Sequence, residues 1–145
     1  MPEGTTGYLF GIFDLFHIAH LDTIRLAAAA CDRLVVGVAT DDLVEDTCGL
    51  RPFVPSIERV EILGAIRMIA EVRPLADLDL GPEVAAVGAD LVMVPGEELD
   101  VVQLEVVERM NRLSTPVKHL PVGRRTTSAQ VRTALAGTTI RSSVA

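Results

Sequence analysis

Apolar residues in this chain fall into short unbroken runs separated by longer stretches in which they recur every third or fourth position. Tyr8 to Ile12, Leu34 to Ala39 and Leu91 to Val94 are runs bounded by glycine or charge. That pattern predicts strands buried on both faces. Ile69 to Arg73 and Pro116 to Pro121 predict two more. Between them, helical spacing covers Leu21 to Ala30 and Val101 to Leu113. A further helix runs from Ser56, as N-cap, to about Met68, and another from Pro82 to Val87 is opened by its proline. Val131 and Leu135, one turn apart, predict a last short helix over Thr127 to Leu135 that Gly137 ends. Thr40 to Pro55 is polar and contains Gly49, Pro52 and Pro55, so it reads as a loop longer than a strand-to-helix connection needs.

Strand and helix alternate, which implies right-handed crossovers and a five-stranded parallel sheet with helices on both faces. At 145 residues the chain fits a single α/β domain, taken here as residues 1–137 with 138–145 as a tail. Composition agrees: 49% of residues are apolar but only 3% aromatic, so the core must be built from Val, Leu, Ile and Ala. A net charge of -7 argues against a nucleic-acid partner, which would require a basic surface. A local cluster of cations in a cleft still suffices for a nucleotide. No apolar run approaches the roughly 20 residues that cross a bilayer, so no membrane partner is expected. Cys31 and Cys48 have no metal-ligand spacing, and the start MPEGTTGYLF lacks an export pattern; a reduced, cytoplasmic setting is expected.

Ligands of open α/β sheets lie beyond the carboxyl ends of the strands. Four segments converge there: GIFDLFHIAH, the stretch from Thr40 to Arg59, PGEE and GRRTTS. His17 and His20, three apart where a helix begins, can turn both imidazoles to one side beside the unpaired N–H groups of the helix terminus. That arrangement suits phosphate. An isolated pair with this spacing is as readily a chance occurrence or half of a zinc site; its position between a strand and a helix favours the phosphate role.

GIFDLFHIAH resembles the GTFDxxHxGH signature of the cytidylyltransferase-like nucleotidyltransferases. RPFVPSIERVEIL resembles the family's segment in which a proline-bearing loop leads to an ER pair on a helix, and GRRTTSAQVR is similar to its ISTT or ISST signature. The likeness runs from Tyr8 to Leu135, with the motifs in order, and is nearest to the glycerol-3-phosphate cytidylyltransferases and the heptose-phosphate adenylyltransferase domains.

The resemblance implies a Rossmann-like sheet of order 3-2-1-4-5, a homodimer, Mg2+ carried with the nucleotide, and nucleotidyl transfer from a nucleoside triphosphate to a phosphorylated small-molecule acceptor. Roles follow position by position. His17 and His20 contact the phosphates, and Ile12 and Phe13 line the nucleotide. Asp14 holds a histidine or a backbone N–H, or serves only as an Asx-type turn residue. Arg59 lies near the phosphates or the acceptor. Gly96 lets backbone approach the base. Arg124 or Arg125 neutralises the triphosphate, with Thr127 and Ser128 as the hydroxyl positions.

Three departures stand out. Ala19 replaces a glycine. The loop lysine that bridges donor and acceptor phosphates is missing, leaving Arg51 as the nearest cation, because Lys118 is the chain's only lysine. Val122 to Arg125 replaces an RTEG element. The leading expectation is CMP transfer from CTP to a phosphorylated or phosphonylated small molecule, releasing pyrophosphate. The alternatives are adenylyl transfer from ATP to a sugar phosphate or cofactor precursor, and a non-catalytic nucleotide-binding subunit.

Overall fold

The computed structural model describes residues 4–96 and 98–122. Five strands, β1 (Thr6–Gly11), β2 (Arg33–Ala39), β3 (Glu71–Leu75), β4 (Leu91–Val94) and β5 (Val117–His119), form one sheet of order β3-β2-β1-β4-β5. Every neighbouring pair is parallel. The connecting helices are α1 (Ile18–Ala29), α2 (Asp41–Cys48), α3 (Ser56–Gly64), α4 (Gly81–Val87) and α5 (Val101–Val107). The chain passes from β1 to β2 on one side and then jumps to β4 on the other, so the gap above β1 and β4 is the place where the connections diverge. Ligand crevices open at such a switch point.

Side chains alternate across each strand. Tyr8, Phe10 and Ile12 join Leu43 and Val44 of α2, Val84 of α4, and Val102 and Val106 of α5 on one face. Leu9, Val36 and Val38 meet Ile24 and Ala27 of α1 and Leu63 of α3 on the other. Both layers are built mainly from aliphatic side chains, with Tyr8 and Phe10 in the first and Phe13 in the second.

Several elements differ from the sequence expectation: α3 ends at Gly64 rather than near Met68, β3 covers Glu71–Leu75 rather than Ile69 to Arg73, and three further differences have a local reason. The stretch read as a loop contains α2. Its acidic exterior hides a short apolar stripe at Leu43 and Val44, while Thr40 caps its start by accepting from Leu43 N–H at 3.1 Å and Gly49 closes it at φ 82°. In α3, Ser56 is not the N-cap. Pro55 occupies that position without a side-chain bond, and Asp41 supplies the acceptor, taking Ser56 N–H at 3.0 Å. Finally, α5 ends at Val107, and the apolar periodicity continues only as a single 3₁₀ turn over Met110–Arg112. The expected helix over Thr127 to Leu135 lies outside the described residues.

Candidate active site

The turn from β1 into α1 holds both left-handed non-glycine residues among the described residues. Phe13 and Leu15 sit at φ 56° and 48°, left-handed values that cost a non-glycine residue about 1 kcal/mol or more each. Asp14 between them offsets that cost. Its carboxylate accepts Phe53 N–H at 2.8 Å, Val54 N–H at 2.9 Å and Leu15 N–H at 3.1 Å. Asp14 thus holds backbone N–H groups and pins the loop between α2 and α3, and its local bond goes to the next residue rather than two residues on as in an Asx turn.

Behind this turn the two histidines form a capping box at the start of α1. His17 Nδ1 accepts Ala19 N–H and His20 Nδ1 accepts His17 N–H, each at 3.2 Å. A ring nitrogen that accepts carries no proton, so both imidazoles bear their N–H at Nε2. Their centroids are 4.2 Å apart, and Phe13 and Phe16 flank His20 at 5.7 and 5.4 Å. Burial, reinforced by the neighbouring His17 and opposed by Asp14, pushes the His20 pKa down to about 4. At neutral pH His20 is thus an uncharged, oriented hydrogen-bond donor. Ala19 stands inside the helix that these bonds cap.

A cavity of about 420 Å³ opens beyond the ends of β1 and β4. Ile12, Phe13, Asp14, His20 and Arg51 line it. Of the two rings His20 forms its wall, and His17 packs against His20. Across the opening lie Pro95, Glu98, Leu99 and Asp100.

Asp100 was not anticipated from the sequence. As N-cap of α5 it accepts Gln103 N–H at 2.7 Å, and its other oxygen takes Ile12 N–H at 2.9 Å. Gln103 answers by accepting Asp100 N–H and donating to Phe10 C=O, both at 2.9 Å. Burial raises the Asp100 pKa, against the pull of the N–H groups of Ile12, Gln103 and Val102. The signal was legible: Asp-x-x-Gln before an apolar stretch is a capping box.

Two arginines occupy places that the motif alone did not reveal. Arg59, expected near the phosphates or the acceptor, is 1% exposed and absent from the cavity lining. Four of its five N–H donors are engaged, with Val54, Ile12 and Ala39 C=O at 2.8 Å and Asp41 Oδ1 at 2.7 Å. This corrects the phosphate-contact expectation: Arg59 is a strut that ties the ends of β1 and β2 to the loop before α3. Arg51 does reach the cavity, but its guanidinium is held by Asp42 at 3.1 Å and Glu45 at 3.0 Å.

Gly96 also has a different neighbour from the one expected. A methyl group there would meet Leu120 C=O and Pro121, so the glycine admits the chain leaving β5. Arg124, Arg125, Thr127 and Ser128 lie outside the described residues.

Parallel strands, a crevice at the switch point and a helix terminus carrying two imidazoles form an arrangement that suits a phosphate-bearing ligand. Comparison with known proteins makes the family specific. Residues 8–143 match the family model described as cytidylyltransferase-like, and the chain belongs to that family of nucleotidyltransferases. It is 31% identical over 119 residues to an FAD synthase of Thermococcus sibiricus, covering 77% of this chain and 76% of that one. It is 35% identical over 116 residues to the bifunctional protein HldE of Hyphomonas neptunium, matching 68% of this chain but 24% of that longer protein. A crystal structure of the lipopolysaccharide core biosynthesis protein of Thermoplasma volcanium superposes with a TM-score of 0.66 at 18% identity, covering 82% of this chain and 98% of that one. That likeness concerns the fold.

Among the described residues no cluster of His, Cys, Asp or Glu could hold a metal ion. None of their helices is long and apolar enough to cross a membrane.

Proposed function

We propose that this protein transfers AMP from ATP to the phosphate of a small phosphorylated acceptor, releasing pyrophosphate. The observation that carries the reading is the oriented imidazole of His20 in the wall of the switch-point cavity, with His17 packed against it at the α1 terminus. In the reaction an acceptor phosphate oxygen attacks Pα and forms the new P–O bond. The bond from Pα to the bridging oxygen breaks, and pyrophosphate leaves with that electron pair. No covalent enzyme intermediate is needed, so the protein's work is positioning and charge stabilisation. His17 and His20 donate from Nε2 to phosphoryl oxygens as negative charge redistributes, and the α1 terminus adds its dipole.

Mg2+ suits the oxygens of the triphosphate better than any described protein group, because it keeps several waters and takes few carboxylates. Asp14, three residues before His17, already serves three backbone N–H groups. When bound, the ion would neutralise triphosphate charge. Arg51 would exchange its carboxylate partners for the acceptor phosphate. Arg124, Arg125, Thr127 and Ser128 supply further triphosphate contacts in this reading, which also includes a homodimer in a reduced, cytoplasmic setting.

Adenine is favoured over cytosine by the relatives named FAD synthase, whose product name specifies an adenine dinucleotide. CTP remains the second reading, supported by the likeness of GIFDLFHIAH and RPFVPSIERVEIL to the cytidylyl-transferring branch. Pyrophosphate release measured with ATP and CTP over a panel of phosphomonoesters separates the two. His17→Ala and His20→Ala should each lower kcat/KM at least about a hundredfold, the scale of a lost preorganised donor. Nucleotide binding with no pyrophosphate release for any acceptor would overturn the transferase reading in favour of a non-catalytic subunit. Sedimentation velocity of the purified chain tests the dimer.

A further inference from the structure

Phe53 carries an unusual combination of properties. Among the described residues it is the most exposed large apolar side chain, at 83%, and it lines the cavity. An aromatic ring left open to water has its burial still unrealised. This ring is not on a slack loop tip. Its own N–H and that of Val54 are held by the two oxygens of Asp14, at 2.8 and 2.9 Å, and Pro52 and Pro55 restrict the chain on either side. The carboxylate that fixes Phe53 belongs to the strained turn leading to the histidines, so the ring and the imidazoles share one frame.

The wall around it has a distinct chemistry. Val44, Leu50 and Pro52 line the cavity with it, and Thr23, Glu98, Asp100 and Gln103 supply polar lining. A flat ring would find a stacking surface on Phe53 and its apolar neighbours.

We infer that Phe53 is the specificity-determining residue for the acceptor: it stacks on a planar heteroaromatic body whose phosphate end is directed toward the histidines. This rests on the transferase reading for the acceptor's identity, but the stacking itself can be tested without turnover.

FMN serves as the probe, because its intrinsic fluorescence reports binding to the full chain by anisotropy. Phe53→Ala should raise the FMN Kd about tenfold and leave ATP affinity unchanged by calorimetry. Phe53→Tyr should stay within about twofold of the unsubstituted chain, with Phe53→Leu between. An unchanged Kd in Phe53→Ala, or no FMN binding by the unsubstituted chain, would overturn the inference. So would dissociation of a dimer in Phe53→Ala with FMN affinity intact, since the ring would then belong to a subunit contact. If pyrophosphate release fails with every acceptor while FMN binding keeps its dependence on Phe53, the transferase reading falls and the stacking platform stands.

Discussion

The loop between α2 and α3 and the first turn of α3 itself are adjacent in sequence and opposite in character. The loop presents Leu50 and Phe53 to water at 72% and 83% exposure, with Arg51 tethered by carboxylates at its edge. One turn into α3, Arg59 is sealed inside and bonded to three carbonyls and Asp41. The contrast shows that a cation in a motif acts by where its donors end. Arg59 sets the frame, and Arg51 stays available because its present partners are exposed and easily exchanged.

Removing Arg59 should therefore have the largest effect on folding. Arg59→Met strands three carbonyls and takes one partner from the Asp41 carboxylate, and should cost about 3 kcal/mol or more in urea denaturation. Asp14→Ala should follow at about 1–2 kcal/mol, because it releases three backbone N–H groups and the strain of Phe13 and Leu15 loses its compensation. The same variant should raise the acceptor KM more than the ATP KM in steady-state assays, since the loop is freed. A loss confined to ATP would break the assignment of the loop to the acceptor.

A pH titration sharpens the comparison from the other side of the cavity. The folded pKa of His20, about 4, lies below its ordinary value near 6.5, so the unfolded chain binds the proton more readily. His20 thus leaves stability intact above pH 6.5 and removes it progressively as pH falls toward 4. Asp100, whose pKa burial raises, works in the opposite sense: its contribution to stability falls as pH rises above the ordinary carboxylate value. His20→Gln should flatten the component of the profile between pH 6.5 and 4, read as the difference in urea midpoint from the unsubstituted protein. The smallest effect is expected for Arg51→Gln, whose urea midpoint should not move, while its acceptor KM rises.

Much of the fold was readable because its strands are nearly continuous aliphatic runs and its helices carry glycine, proline or polar caps. Helix α2 was hidden by Asp41, Asp42, Glu45 and Asp46, which mask a stripe of only two buried residues. The histidine pair stood out by its spacing together with its place between a strand and a helix. Arg59 was visible as a motif member, but nothing in a linear pattern says that four donors will meet interior oxygens. Asp100 and Gln103 were missed although their capping spacing was in view, since that spacing looks the same whether a helix starts at the surface or against a cavity. Gly96 was recognised as a site of close approach, yet the approaching group, Leu120 and Pro121, is set by tertiary packing.

The carboxylate of Asp41 joins the first residue of α2 to the first residue of α3 through Ser56 N–H and to the interior through Arg59. Burial alone would raise its pKa, but those donors and Arg51 hold it below the usual value. The excursion between them is consequently a hoop with a fastened base. Inserting or exchanging residues along such a hoop changes closure entropy only slowly with length. Diversification of the bound molecule can proceed there without rebuilding the sheet, which makes this hoop the natural segment to graft when a new acceptor is wanted on the same scaffold.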